Sequence, residues 1–277
     1  MSVRPDALVG IAIACTTAAT AVAAVIVACS QIPTDPNKPF SIQVDTLPAP
    51  SVVAGDTMRD TTGALAPIRV EVFNVQGHPL PNPHVRFLSF NKHQLLFDTL
   101  GHAIGAPGGD STVQFVVDAQ GLQTAPQPLA VVLRPDSLLF ADSDSVQTDT
   151  LHAGGPSVDT LSLPLDARLH HNPGSAGADS VTRSYLVRYS IVYPSSAAAG
   201  TGTPSDTVRA IYISDVNHVP ARVDTTDQTG AAVRYVLFNK ARIKPPVTDS
   251  VVVQLSARYR GAPVGGSPLR FVVHYIY

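Results

Sequence analysis

Hydrophobic and polar residues alternate over most of the chain beyond residue 40, and this alternation predicts β-strands. Successive residues of a strand point to opposite faces, so a period of two gives a sheet one apolar and one wetted face, as in antiparallel sheets. Glycine, proline, asparagine and aspartate separate the runs, as turns require. Short strands at this spacing favour β-sandwiches. The clearest runs are residues 68–73, 85–90, 113–117, 185–193, 208–213, 251–255 and 269–273.

A different pattern occupies residues 7–28, which contain neither a charge nor a proline. About 22 residues at about 1.5 Å per residue form a helix about 33 Å long, enough to cross the hydrocarbon core of a bilayer. Arg4 precedes this run, and Lys38 is the first cation after it. The positive-inside bias therefore predicts a single-pass helix in a bacterial inner membrane, with a cytoplasmic N-terminus and the bulk of the chain in the periplasm.

The end of the apolar segment has a second interpretation. Residues 26–29 (Ile-Val-Ala-Cys) resemble the lipobox of bacterial lipoproteins, in which the cysteine is acylated and becomes the new N-terminus, and Ser30 resembles the form sorted to the outer membrane. Cys29 is therefore a candidate lipidation site. Residues 1–29 are either a transmembrane anchor or a lipoprotein signal. An ordinary signal peptide is disfavoured because its apolar core is shorter, about 7–15 residues, and its start is more basic.

Small residues recur every four positions within the apolar segment, at Gly10, Ala14 and Ala18. This spacing allows two membrane helices to approach closely, and it predicts a lateral partner in the membrane. An alanine-rich composition also produces such spacing by itself, so both explanations stay open.

A repeated order of elements predicts two tandem domains. Residues 110–133 run from Asp-Ser through a strand, a glycine turn and Pro-Leu to a second strand, and residues 249–273 repeat this order. Two domains of one kind would each end in such a hairpin. We therefore place domains at 40–134 and 135–277. They follow a proline-rich linker at 30–39, whose three prolines favour extended backbone.

Three segments resemble bacterial Ig-like domains of the invasin and intimin type. Residues 74–87 are similar to their strand–turn–strand signature, in which Asn or Asp ends a strand before a glycine turn and a proline. Residues 51–56 resemble their first strand, and residues 224–233 resemble their Thr-Asp-x-x-Gly-x-Ala turn. The resemblance implies an all-β chain of two tandem Ig-like antiparallel β-sandwich domains. Such domains act as rigid spacers or as adhesion and assembly modules, without a shared active site.

The sequence carries no motif of a known catalytic or cofactor site. G-x-S-x-G, H-E-x-x-H, P-loop and G-x-G-x-x-G patterns are absent, and both cysteines, Cys15 and Cys29, lie before residue 30. The members of a Ser-His-Asp triad come together only in the folded chain, so the sequence alone does not exclude a triad. We nevertheless expect no enzyme, no cofactor, no metal and no small-molecule substrate. A net charge of −2 also disfavours nucleic acid as a partner.

Two groups of residues are weaker candidates for metal binding. His170 and His171 precede Asn-Pro-Gly, so we expect solvated loop histidines, which would share a metal only from an irregular loop. Asp142, Asp144 and Asp149 offer oxygen ligands for calcium but lack the glycine and glutamate of an EF-hand. Polar decoration of a strand edge is the alternative interpretation of these aspartates.

The second predicted domain carries more cations, which form either an ordinary solvated face or a surface for acidic headgroups or an acidic subunit. They are Arg234, Lys240, Arg242, Lys244, Arg258, Arg260 and Arg270. The apolar run at 271–277 predicts the last strand of the sandwich. Addition of an edge or an aromatic anchor to a partner is the alternative.

Together these features predict a structural or accessory subunit that stabilises or assembles a larger membrane protein complex. Its partners would be the lipid bilayer and an integral membrane protein complex, contacted through the N-terminal helix and the Ig-like domains. A bioenergetic assembly such as a photosynthetic reaction centre with its antenna, a secretion apparatus and an envelope transporter are all compatible. The alternative is an outer-membrane lipoprotein acting as an adhesin or glycan-binding module, and a hydrolase built on loops of the second domain is a third hypothesis.

Overall fold

The computed structural model describes residues 35–141, 147–152, 159–172, 180–194, 210–239 and 250–276. Within these ranges, the chain contains no helix that is long and apolar enough to cross a membrane. The predicted membrane helix at residues 7–28 and the candidate lipidation site Cys29 lie outside the described residues.

The described residues form an all-β structure. In chain order the strands are β1 Ser41–Val44, β2 Ser51–Val53, β3 Val70–Phe73, β4 Val85–Ser89, β5 Leu95–Phe97, β6 Ala103–Gly105, β7 Ser111–Ala119, β8 Leu122–Gln123, β9 Gln127–Val132, β10 Ser137–Phe140, β11 Gln147–His152, β12 Asp159–Leu161, β13 Leu165–His171, β14 Ser180–Val181, β15 Leu186–Tyr193, β16 Ile211–Ser214, β17 Val223–Thr225, β18 Ala231–Asn239, β19 Ser250–Ser256, β20 Arg258–Tyr259, β21 Ala262–Pro263 and β22 Leu269–Ile276. Each of the seven alternating runs overlaps one of these strands, so the prediction of β-strands is confirmed.

The chain divides into two compact units. Among the described residues, the smaller comprises residues 35–43, Val70–Val85 and Asp118–Thr124, and the larger comprises Val44–Arg69, Arg86–Val117 and the described residues from Ala125 onward. The domain boundaries predicted from the sequence, 40–134 and 135–277, stay a prediction.

In the smaller unit, β1 pairs with β3. The described part of the predicted linker is hydrogen-bonded to the turn that follows β3. The Asn74 amide donates to the carbonyl of Pro36 at 2.9 Å. The Asn74 Oδ1 accepts from the backbone of Gln76 and of His78, each at 3.0 Å, which closes the turn after β3. Asn37 donates its backbone N–H to Asp35 Oδ1. This stretch of the linker therefore contains a turn, in place of the extended backbone predicted, because the Asp35 side chain accepts a local hydrogen bond.

Two sheets of the larger unit share one apolar core. The first has the order β10-β13-β18-β12, with β14 beside β13 and β16 beside β18, and the second has the order β11-β22-β19-β15-β17. Leu169 and Phe238 of the first sheet belong to the same buried cluster as Val253 and Phe271 of the second. Because both sheets bury their apolar faces in one cluster, this part of the chain is a β-sandwich.

The same unit holds a further sheet with the path β2-β9-β7-β4. Three phenylalanines fill its apolar side. Phe87 of β4 stacks on Phe97 of β5 with ring centroids 5.1 Å apart, and Phe97 lies 5.2 Å from Phe115 of β7. Phe115 is completely buried. Phe87 and Phe115, from the alternating runs 85–90 and 113–117, thus lie on the side of these strands that faces the core.

Two strand pairs contradict the prediction of purely antiparallel sheets. β2 pairs with β9 in parallel, and β11 pairs with β22 in parallel. Parallel neighbours require a long connection, and here most of a sandwich lies between the paired strands. β22 lies between β11 and β19, so both of its edges are paired. The alternative in which the 271–277 run adds a free edge to a partner is therefore wrong for this strand.

The repeat seen in the sequence has a structural counterpart in two tight hairpins. Gln120 and Gly121 connect β7 to β8, with φ angles of 53° and 92°. Arg260 and Gly261 connect β20 to β21, with φ angles of 51° and 80°. Positive φ at both positions of a two-residue loop matches the twist of the flanking strands. The second hairpin places Arg260 at a tip, where it becomes part of the site described next.

Candidate functional site

A surface cavity of about 400 Å³ lies within the larger unit. One wall is the segment at residues 49–63, which begins before β2 and continues past it. The other wall is formed by the start of β15, the end of β19 and the β20–β21 hairpin. A volume in the range of about 300–1,000 Å³ is typical of small-molecule sites.

Asp56 joins the two walls. Its side chain is 6% exposed and accepts a hydrogen bond from Arg59 Nε at 3.1 Å and one from Arg260 Nε at 2.9 Å. The backbone N–H of Thr57 donates to the other carboxylate oxygen at 2.9 Å. Arg260 is 204 residues away in the chain, so this carboxylate connects distant segments with charge-assisted hydrogen bonds.

The surroundings of Asp56 keep it ionised. Burial acts to raise the pKa of this carboxyl, but the hydrogen bonds from Arg260, Arg59 and Thr57 outweigh burial and hold the pKa far below its usual range. The same hydrogen bond raises the pKa of Arg260. The pair is therefore charged at every physiological pH.

Beside the ion pair, two glycines bring backbone against backbone. A Cβ atom on Gly63 would lie 2.5 Å from the amide nitrogen and 2.8 Å from the Cα of Gly261. Gly63 has a φ of 93° and closes a turn in which Asp60 Oδ1 accepts from the backbone of Thr62 and Ala64, at 2.8 and 3.1 Å. Arg59 Nη1 donates to the Gly63 carbonyl at 3.0 Å, so one arginine holds both the turn and Asp56.

Two further cations line the cavity, Arg188 and Arg258. Arg188 of β15 pairs with Ser256 of β19 and lies between the buried residues Val187 and Tyr189, so it is on the outward face of that sheet. Arg258 begins β20, two residues after Ser256, and is also exposed. Both arginines are therefore available to a ligand that occupies this cavity.

Two tyrosines complete the cavity. The Tyr185 hydroxyl donates to the carbonyl of Arg258 at 2.6 Å. Burial, followed by the charges of Tyr259 and Asp56, raises the pKa of Tyr185, so its phenol stays neutral. The guanidinium carbon of Arg260 lies 5.2 Å from the centroid of the Tyr259 ring, in cation–π range.

Two more polar clusters hold distant segments of the larger unit together. Arg183 Nε lies 3.0 Å from Asp110 Oδ1, and Arg183 Nη2 donates to the Asp110 carbonyl at 2.7 Å. Asp136 lies between Arg134 Nε, at 2.6 Å, and His171 Nδ1, at 2.8 Å. Together with the Asp56 contacts, these clusters join residues of the first predicted domain to residues of the second.

The comparisons with known proteins give distant architectural likenesses. No family model matches the sequence, and no curated protein is significantly similar to it. The chain is similar to the adhesin InvE of Yersinia pseudotuberculosis, at 13% identity over 85% of this chain and 59% of that one, with a TM-score of 0.34. It is also similar to the Escherichia coli adhesin FdeC, at 11% identity over 86% of this chain and 64% of that one, with a TM-score of 0.27.

A surface-layer protein gives a third likeness. Domains 4 and 5 of the S-layer protein SbsC match at 10% identity over 85% of this chain and 96% of that structure, with a TM-score of 0.28. This chain thus spans less than two thirds of the InvE structure and nearly all of the two-domain SbsC structure. At TM-scores this low, no functional argument is drawn from these likenesses.

The histidine pair is placed differently from its prediction. His170 and His171 are the last residues of β13, not loop residues, and they pair with Val181 and Ser180 of β14. Neighbours on a strand point to opposite faces, so the two imidazoles do not share a metal site. His171 is instead engaged by Asp136 and by the carbonyl of Arg134. The Asn-Pro-Gly that follows made a loop the better prediction, because the strand pairing with β14 is not visible locally.

The predicted calcium ligands are only partly within the described residues. Asp142 and Asp144 lie outside them, and Asp149 is in β11, where only the backbone is described. Among the residues that the structure describes, no group of three or more His, Cys, Asp or Glu side chains could hold a metal ion.

The predicted cationic surface separates into residues with different roles. Arg234 Nη2 pairs with Asp224 at 2.9 Å, and Arg260 pairs with Asp56. Arg258 lines the cavity, whereas Arg270 is exposed on β22 and does not line it. Lys240, Arg242 and Lys244 lie outside the described residues.

The sequence analysis missed Asp56, Arg59 and Gly63 as site residues. A local signal was present for part of this turn, because residues 60–64 (Asp-Thr-Thr-Gly-Ala) match residues 227–231 (Asp-Gln-Thr-Gly-Ala) at all but one position. Both aspartates accept from the backbone two and four residues on. No local signal connects this turn to the β20–β21 hairpin.

Proposed function

We propose that this protein is a non-catalytic β-sandwich arm that acts by contact with other macromolecules of a bacterial envelope. The observation that carries the proposal is the junction made by Asp56, Arg59 and Arg260 with the Gly63–Gly261 contact. A buried charge held by two arginines is costly to separate, and a backbone-to-backbone contact leaves no room for sliding. Such a junction suits a domain that must stay rigid while it contacts a partner.

In the first form of this proposal, the chain is an accessory subunit of a membrane complex in the bacterial inner membrane. Residues 7–28 would hold it in the bilayer, the bulk would lie in the periplasm, and Gly10, Ala14 and Ala18 would face a neighbouring helix. The apolar segment and its small-residue spacing support this form, and it needs no cofactor, nucleic acid or small-molecule substrate. A bioenergetic assembly, such as a photosynthetic reaction centre with its antenna, is one such complex.

Native electrophoresis of mildly solubilised membranes tests this form. We expect the chain to migrate within a larger complex, and substitution of Gly10 and Ala14 by leucine to release it from its partners. Migration as a single species near the chain mass of 29.1 kDa would contradict the subunit role.

The second form is an outer-membrane lipoprotein that acts as an adhesin or glycan-binding module. The lipobox-like residues 26–29 favour it, because acylation at Cys29 would replace the helix as the anchor. Intact-mass measurement separates the two forms. A mature chain that begins at a diacylated Cys29 supports the lipoprotein, and a chain that retains Met1 supports the membrane helix.

A further inference from the structure

The cavity beside Asp56 contains more positive charge than the junction uses. Four arginines and two aspartates line it, although the whole chain has a net charge of −2. Asp56 is already paired with Arg59 and Arg260, and the Asp60 carboxylate is taken up by its own turn. The remaining charge therefore belongs to Arg188 and Arg258.

Arg188 and Arg258 accept hydrogen bonds only at their backbone carbonyls in the described part of the chain. No side-chain hydrogen bond or ion pair engages either guanidinium group there. Both are exposed and both line this cavity, Arg188 from β15 and Arg258 from the first residue of β20. A guanidinium group offers a planar fork of donors that matches carboxylate and sulfate oxygens, so two of them on one wall form an anion-binding surface.

The rest of the cavity suits a ring that carries such an anion. Tyr185 and Tyr259 supply flat apolar surface with polar edges, and both rings are partly shielded from solvent. The hydroxyl of Tyr185 is fixed by its hydrogen bond to the Arg258 carbonyl, which limits ring motion. A space of about 400 Å³ holds one to a few sugar rings and is too small for a folded partner.

We propose that this cavity binds an acidic saccharide, one that carries carboxylate or sulfate groups. Arg188 and Arg258 bind the anion, and Tyr185 and Tyr259 contact the sugar faces. The inference rests on the second form of the proposed function, the glycan-binding module, and names the class of saccharide that it binds.

Calorimetric titration of the full-length chain in mild detergent tests the proposal. The probes are trigalacturonate, a sulfated disaccharide and neutral maltotriose. We expect one or both acidic probes to bind with an affinity that falls as salt increases, and maltotriose not to bind. The two acidic probes distinguish a carboxylated from a sulfated source. Failure of both acidic probes, or equal binding of maltotriose, would overturn the proposal.

Matched arginine variants locate the binding. Arg188→Gln and Arg258→Gln should each weaken the acidic probe at least tenfold, while Arg270→Gln, an exposed strand arginine outside the cavity, should leave binding unchanged. All three sites are on the surface, so near-ultraviolet circular dichroism should be unaltered. Unchanged affinity in both cavity variants would assign the binding elsewhere and overturn the proposal. The junction has its own test in the glycine variants described below, so the failure of one proposal does not imply failure of the other.

Discussion

The close approach of Gly63 to Gly261 makes a prediction that isolates the junction from ordinary backbone effects. Gly63→Ala places a methyl group 2.5 Å from the Gly261 nitrogen, at a residue whose φ is 93°. The left-handed backbone alone costs an alanine about 1–2 kcal/mol. Relief of the overlap requires a backbone shift, which adds about 1–3 kcal/mol. We therefore expect a total loss of about 2–5 kcal/mol in the free energy of unfolding.

Gly121→Ala is the matched control. Its φ is 92°, nearly identical to that of Gly63, but a Cβ atom there would have no heavy atom within 4 Å. It should lose only the backbone contribution of about 1–2 kcal/mol. The difference between the two variants then reports the contact between the Gly63 turn and the β20–β21 hairpin.

Urea unfolding of the full-length chain in detergent, followed by far-ultraviolet circular dichroism, measures both variants. A Gly63→Ala loss that exceeds the Gly121→Ala loss by at least about 1 kcal/mol supports the contact. Equal losses in the two variants would show that the Gly63 turn and the β20–β21 hairpin are not in this close contact in solution.

Three further predictions concern charge, a buried hydroxyl and the ligand cavity. Folding lowers the pKa of Asp56, so the contribution of this carboxylate to stability is complete above the unfolded pKa of about 3.9 and is lost as pH falls below that value. The melting temperature of the parent chain should therefore fall more steeply between pH 4 and pH 2 than the melting temperature of Asp56→Asn. Parallel curves of melting temperature against pH would contradict this. At neutral pH, Asp56→Asn should lose about 1–3 kcal/mol by urea unfolding, a range that allows for solvent access because Arg260 is 53% exposed. Tyr189→Phe removes a buried hydroxyl that lies 2.8 Å from the Ala232 carbonyl and 3.0 Å from the Leu165 carbonyl, so the free energy of unfolding should fall by about 1–2 kcal/mol. The control is Tyr193→Phe, at a residue that is 49% exposed, which should change the free energy of unfolding by less than about 0.5 kcal/mol. Similar losses in the two variants would be inconsistent with the buried hydrogen bond. Arg188→Gln and Arg258→Gln should weaken binding of an acidic saccharide as set out above, with calorimetry as the measurement.

The strands could be predicted from the sequence because one face of each is buried. In β13, the buried residues Leu165, Ala167 and Leu169 alternate with more accessible neighbours, and this pattern is local. Whether the neighbour of a strand runs parallel or antiparallel to it cannot be predicted from the sequence of that strand alone. β11 and β22 are parallel, and nothing in the alternation of residues 269–273 indicates this, so the prediction of antiparallel sheets failed at that point.

The candidate site could not be predicted from the sequence because its residues are far apart in the chain. Asp56 and Arg260 are 204 residues apart, and each has an ordinary local role, one after a short strand and the other in a hairpin tip. A lone aspartate and a lone arginine are common surface residues. Only the fold brings them together with Gly63, whose need to be glycine arises from a neighbour that is remote in the chain.

The parallel pairing of β11 with β22 has a mechanical consequence. Six residue pairs align from Gln147 with Phe271 to His152 with Ile276, and tension applied before β11 and after β22 would pull the two strands past each other lengthwise. In that geometry the interstrand hydrogen bonds resist the load together instead of opening one by one. If the chain is pulled at these two points, its resistance to force comes from the hydrogen bonds of the β11–β22 pair acting together.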